Sequence, residues 1–240
     1  MPAHEGIAVK LAIMQPYFLP YIGYYQLMAA VDLFVVYDNI KYTKKGWINR
    51  NRMLQDGADA MFSIPLKNDS DTLDIRDRRI AADFRRDRLL NQLRAAYAKA
   101  PCFEQTFPLV EEIVRHEDAN LFGFLLHAID ASARHMGIAT PIRVSSTVPI
   151  DHGFKGQDKV MALCAALGAD TYINPPGGVD LYSRNAFHER GIELKFIRPQ
   201  PIEYAQFGQP FVPWLSIVDV LMFNPVDRIR EVLLGSYDLA

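Results

Sequence analysis

The chain offers little to a disulfide or metal chemist. Its two cysteines, Cys102 and Cys164, are far apart and show no CxxC spacing. That excludes a disulfide framework and a cysteine zinc site, and it fits a reducing compartment. The six histidines (His4, His116, His127, His135, His152 and His188) are scattered. No HExxH, Cys/His cluster or EF-hand loop is present, so no metal is expected, and no GxSxG elbow supports a lipase-like triad. No apolar run reaches the roughly 18 residues needed to cross a bilayer. The opening run at residues 7–14 stops at Gln15-Pro16, carries Lys10 and has no basic leader with a cleavage site. It therefore reads as a buried strand rather than a signal peptide, and a cytoplasmic, soluble protein is expected. Charge of one sign is also lacking, with 26 Lys and Arg against 28 Asp and Glu. A protein held mainly by nucleic-acid phosphates would show a cationic excess, so no nucleic-acid partner is expected and any anion site must be local. Repeats, low-complexity tracts and linkers are absent as well.

What is present is a globular balance, 50% hydrophobic and 22% charged residues. The length suits a single α/β domain over residues 1–240, with a mainly helical segment at about 82–136. A strand at 8–14, a proline-fixed loop at 15–20, a helix at 21–30 and a continuous apolar strand at 31–37 make a βαβ unit. Asp56-Gly57 signals a hairpin turn into a strand at 60–66. An extended stretch is expected at 71–80, helices at 82–97, 109–116 and 119–136, and a loop bracketed by Pro101 and Pro108. A strand at 141–146, a helix at 157–167 closed by Gly168, and strands at 169–173 and 192–196 follow, then helical segments at 214–223 and 225–234. The fold class is thus α/β and Rossmann-like, a mostly parallel sheet flanked by helices, whose ligands sit beyond the carboxyl ends of the strands.

Four stretches carry candidate chemistry. In the loop and helix start from Gln15 to Tyr24, two prolines fix the backbone and Gly23 permits close approach. The stretch reads as a phosphate or carboxylate cradle with Gln15 and Tyr24 as polar tips, or as a rigid turn packed over the sheet. From Asp38 to Arg52 the chain reads DNIKYTKKGWINRNR. Arginine forks, asparagine amides and a tryptophan face suit phosphate, carboxylate, sugar or base, which makes Lys41, Lys45, Trp47, Asn51 and Arg52 binding candidates. Asp38, Asn49 and Arg50 are the catalytic candidates, with Asp38 as general base or, structurally, a partner of Lys41 or a loop cap. The third stretch is Asn174-Pro175-Pro176-Gly177-Gly178 with Tyr182, where glycine amides can face a ligand or merely turn the chain. The fourth is Gln206 with Asp219, a carboxylate in an apolar helix that can act as a base or sugar ligand, or cap a neighbouring backbone group.

The run from Gln15 to Arg52, with Tyr172-Ile173-Asn174, Gly177-Gly178, Leu181-Tyr182, Gln206 and Leu215 to Asp219, resembles the WbqC-like protein family over nearly the whole chain. That resemblance implies a role in bacterial surface polysaccharide (O-antigen, lipopolysaccharide) or related biosynthesis. The expected activity is a transferase acting on an activated anionic small molecule, a nucleotide-linked sugar or an acyl or aminoacyl donor. Other polysaccharide-biosynthesis enzymes are the implied partners, and a noncatalytic ligand-binding or scaffold component is the alternative. The opening also loosely resembles HIGH-type nucleotidyltransferases and pantothenate synthetase-like ligases, whose histidine and glycine at the helix start hold ATP phosphates. Here those places hold Tyr21 and Gly23-Tyr24 without a histidine, which argues against adenylyl transfer and leaves a nucleotide cofactor open.

Overall fold

Alternation within the short apolar runs builds the sheet. Leu11 and Ile13 join one hydrophobic cluster and Ala12 the other; Val35 separates from Phe34 and Val36, and Tyr172 from Ile173, in the same way. A strand buried on both faces is what a helix-covered parallel sheet requires. The computed structural model describes residues 8–70 and 72–240; His4, Ile7 and Asp71 lie outside the described residues.

The chain runs β1 (Lys10–Met14), α1 (Ile22–Ala29), β2 (Leu33–Val36), then a hairpin of β3 (Arg50–Gln55) and β4 (Ala58–Ser63). Three helices follow, α2 (Arg86–Tyr97), α3 (Phe103–Arg115) and α4 (Leu121–His135). After them come β5 (Ile142–Val144), α5 (Gly156–Ala166), β6 (Thr171–Asn174), α6 (Arg184–His188), β7 (Glu193–Pro199), α7 (Ile217–Phe223) and β8 (Tyr237–Leu239). The main sheet has the order β5-β2-β1-β6-β7-β8. Its first five strands are parallel, and β8 closes the edge antiparallel to β7. This is the Rossmann-like α/β arrangement, and the helices cover both faces. Among the described residues no helix is long and apolar enough to cross a membrane.

Two local expectations are corrected. Pro108 lies inside α3 rather than at a loop edge. The missing amide costs one backbone hydrogen bond, yet Phe107, Val110, Ile113 and Val114 bury one face of the helix, and that burial prevails. The stretch from residue 50 is a strand, not part of a site loop. Asn51 and Met53 point inward, while Arg50 and Arg52 stay partly exposed, and the turn residues Asp56 (φ 52°) and Gly57 (φ 77°) close the hairpin as their types suggest.

The loop after β1 is a rigid turn held from outside. Leu19 adopts φ 45°, a left-handed conformation unfavourable for a leucine. Asn51 Nδ2 donates to the carbonyls of Phe18 (3.0 Å) and Leu19 (2.8 Å), and Ser216 Oγ donates to that of Leu19 (2.7 Å). Asn51→Ala is therefore expected to lower stability by about 2–3 kcal/mol, since the Phe18 carbonyl loses this donor and that of Leu19 keeps only Ser216. Urea unfolding measures this, and a change below about 0.5 kcal/mol would contradict the role.

Candidate functional site

From β1 the chain adds β2 and β5 on one side and β6 and β7 on the other, so the crevice beyond the carboxyl ends of the parallel β1 and β6 is the topological switch point. A cleft of about 830 Å³ lies there, within the size range of small-molecule sites. Gln15 and Tyr17 enter it from β1, and Tyr37, Asn39 and Lys41 from the segment after β2. Asn174, Gly177, Gly178 and Tyr182 come from beyond β6, and His152, Lys155, Gly156 and Lys159 from the start of α5.

Lys159 is the unusual group in this wall. Its residue is only 6% exposed. Nζ donates to the backbone oxygen (3.1 Å) and the side-chain Oδ1 (3.0 Å) of Asn39, and stands 5.3 Å from the centre of the Tyr37 ring. No salt bridge to a carboxylate is formed by Lys159 among the described residues. Burial pulls its pKa down, against the pull of Asp74 and Asp38 upward. An ammonium with three donors uses two on Asn39 and keeps one for a ligand. Beside it, α5 starts at Lys155-Gly156 with no side-chain cap. Its first-turn amides lack intrahelical acceptors, and the helix dipole favours an anion there.

Asn39 sets this arrangement. Because its Oδ1 faces Lys159, its Nδ2 faces His152 Nδ1 at 3.0 Å, while His152 Nε2 lies 3.1 Å from the Val148 carbonyl. The pattern makes His152 Nδ1 the acceptor from Asn39 and Nε2 the donor to Val148. Asp38 sits behind the wall and does not line the cleft. One carboxylate oxygen accepts from Ser145 Oγ (2.8 Å) and the Ser146 amide (2.9 Å), the other from Ser146 Oγ (2.5 Å). Desolvation raises its pKa, but the serine hydroxyls and the amide outweigh that and hold it below the usual value. A carboxylate so stabilised is a poor proton acceptor near neutrality; it ties the end of β2 to the end of β5.

Of the residues singled out in the sequence, Gln15, Lys41, Asn174, Gly177, Gly178 and Tyr182 meet in the cleft. A Cβ at Gly178 would lie 1.8 Å from Asn174 Nδ2, so a side chain there would displace the Asn174 amide. The others do not line it. Arg50 turns back on its own loop, donating from Nε to the Gly46 carbonyl (3.1 Å) and from NH2 to that of Lys45 (2.7 Å). Asn49 accepts from Tyr42 (2.8 Å) and donates to the Ile64 carbonyl (2.8 Å). Lys45 stays exposed, Asn51 holds the turn described above, and Trp47 and Arg52 face a separate groove. Tyr24 is buried, donating to the Gln15 carbonyl (3.1 Å). The Tyr21 hydroxyl lies 2.2 Å from where a Gly23 Cβ would sit, so Tyr21 covers the start of α1. Gln206 and Asp219 are fully buried: Asp219 accepts from Tyr97 (2.9 Å), Tyr204 (2.7 Å) and Gln206 (2.7 Å). These are structural partnerships, and they leave those side chains no room for substrate.

Sequence reasoning missed His152, Lys155, Gly156 and Lys159. The usable signal was Gly153-Phe154-Lys155-Gly156 after a strand, with a lysine in the first turn of the next helix. Among the described residues no group of three or more His, Cys, Asp or Glu side chains is placed to hold a metal ion.

With this geometry in view, comparisons with known proteins are informative about lineage. The profile described as the WbqC-like protein family matches residues 15–231. A Mycobacterium tuberculosis protein named Uncharacterized protein Rv1507c is 27% identical over 218 residues, covering 90% of this chain and 93% of its own length. No solved structure matches significantly.

Proposed function

Starting from a chain that belongs to the WbqC-like protein family, we propose that it is a transferase that takes an activated, phosphate- or carboxylate-bearing small molecule into the switch-point cleft. The single observation that carries this reading is the buried Lys159 without a carboxylate partner, beside the uncapped start of α5. A buried cation is costly unless an anion compensates it. Lys155 and Lys41 add exposed positive charge at the mouth, and Tyr37 and Tyr182 offer flat walls for the rest of the molecule. A nucleotide-linked sugar or an acyl or aminoacyl donor of surface-polysaccharide assembly is the donor class this reading favours. The exposed Trp214, 62% accessible, favours a second reading as a noncatalytic binding component.

The test is a thermal-shift screen of the full chain against phosphate, pyrophosphate, nucleotides, sugar nucleotides and acyl phosphates. A ligand that binds only the folded state raises the melting temperature by mass action. The expected result is a concentration-dependent rise with pyrophosphate-bearing compounds, absent in Lys159→Met. Equal shifts in both proteins would refute the assignment. Turnover of a shifting compound with an acceptor separates the transferase from the binding component.

A further inference from the structure

The two tryptophans of the chain, Trp47 and Trp214, border one groove of about 290 Å³ with Tyr17, Tyr21 and Arg52. Both indoles face solvent, at 38% and 62% exposure, yet both are held. The Arg52 guanidinium lies 5.3 Å from the centre of the Trp47 ring, and its NH2 donates to the Trp214 carbonyl at 3.0 Å. Trp214 itself takes φ 62°, a left-handed backbone that a bulky aromatic adopts only when its surroundings impose it. Tyr21 packs beside it with ring centres 5.6 Å apart and planes tilted by 58°. Arg52 Nε is buried and has no hydrogen-bond partner, although its NH1 reaches Asp59 at 3.3 Å. A rigid, exposed pair of indoles, braced by one guanidinium, is built for contact.

We propose that this groove is a saccharide subsite, taking one pyranose ring of the acceptor. A sugar ring has an apolar C–H face that stacks on an indole, and the exposed Trp47 and Trp214 offer two such faces at one groove. A planar base would want a parallel slot, and the oblique Tyr21 and Trp214 rings do not provide one. The guanidinium face is spent on Trp47 and its NH2 on a carbonyl, so a phosphate finds no open fork here. Tyr17 lines both this groove and the switch-point cleft, which sets a ring in the groove next to a donor in the cleft. The acceptor role rests on the proposed transferase; the sugar subsite stands on the groove alone.

Because both tryptophans border the groove, intrinsic fluorescence reports it directly. The full chain is titrated with methyl glycosides of a hexose, a deoxyhexose, an N-acetylhexosamine and a uronic acid, and with adenosine and uridine as controls. The expected result is a saturable millimolar response to at least one glycoside and none to the nucleosides. Arg52→Lys, which keeps charge and removes the planar guanidinium that braces both indoles, should weaken it about tenfold, with a far-ultraviolet spectrum confirming the fold. Lys159→Met should leave it unchanged. Silence to every glycoside, a response to the nucleosides alone, or an undiminished response in folded Arg52→Lys would overturn the proposal. A glycoside response in a protein that fails the anion screen would overturn the transferase reading and leave the subsite standing.

Discussion

Asp219→Ala is expected to lower stability by about 3–5 kcal/mol, the range for stranding buried polar partners of a carboxylate. The wild-type carboxylate is fully inaccessible and accepts from Tyr97, Tyr204 and Gln206. Removing it leaves three buried donors without an acceptor. The damage spreads because each donor belongs to a different part of the chain. The Tyr97 hydroxyl also accepts from the Leu54 amide at 2.8 Å, joining α2 to β3. Gln206 also exchanges hydrogen bonds with Val212, at 3.2 and 2.7 Å, and so folds the segment before α7. Burial raises the Asp219 pKa from its usual value, and the three donors only partly offset that. A folded-state pKa above the unfolded one means that the native state binds the proton more tightly. The contribution of Asp219 is thus greatest below the ordinary carboxyl range and declines as pH rises through the raised value. Urea titrations of wild type and variant across that range should show their stability difference shrinking with pH; a constant difference would contradict the shift.

Lys159→Met should act in the opposite sense on the unliganded protein. The side chain is nearly as long and apolar, and relief of a buried charge that forms no salt bridge is expected to outweigh the two Asn39 hydrogen bonds lost, so the variant should be at least as stable as wild type. Binding should suffer instead. Loss of a desolvated charged hydrogen bond to an anion costs about 3 kcal/mol, roughly a hundredfold in affinity. Higher stability with lost binding is the signature of a residue kept for function. A marked drop in melting temperature would mark Lys159 as structural.

The fold was legible where local and long-range preferences agree. The apolar runs at β1, β2 and β6, with the intervening helix and the glycine ends of α4 and α5, specify their own elements, and Gly137 and Gly168 adopt the positive φ expected of helix ends. β3 was hidden because its inward residues include Asn51 and its outward ones are arginines, a pattern that reads as a charged loop until the turn carbonyls it serves are seen. Pro108 hides the first half of α3 from sequence patterning, because its local cost is outweighed only by tertiary burial. The cleft was half legible. Strand ends pointed to Gln15, Lys41, Asn174 and Gly178, but Lys159 gave no signal of its own, since a lysine in a first helical turn is ordinarily a solvated one. Only the packing of α5 against the end of β2 shows it buried. The arginines near residue 50 drew attention by their number, whereas their partners, backbone carbonyls and an indole ring, are invisible to composition.

Calorimetric titration of pyrophosphate into three proteins, wild type, Lys159→Met and Arg50→Ala, weighs the cleft against the hairpin. The account predicts that Arg50→Ala binds like wild type and that Lys159→Met shows no measurable heat of binding. The reverse outcome, with binding lost at Arg50 and kept at Lys159, would contradict it.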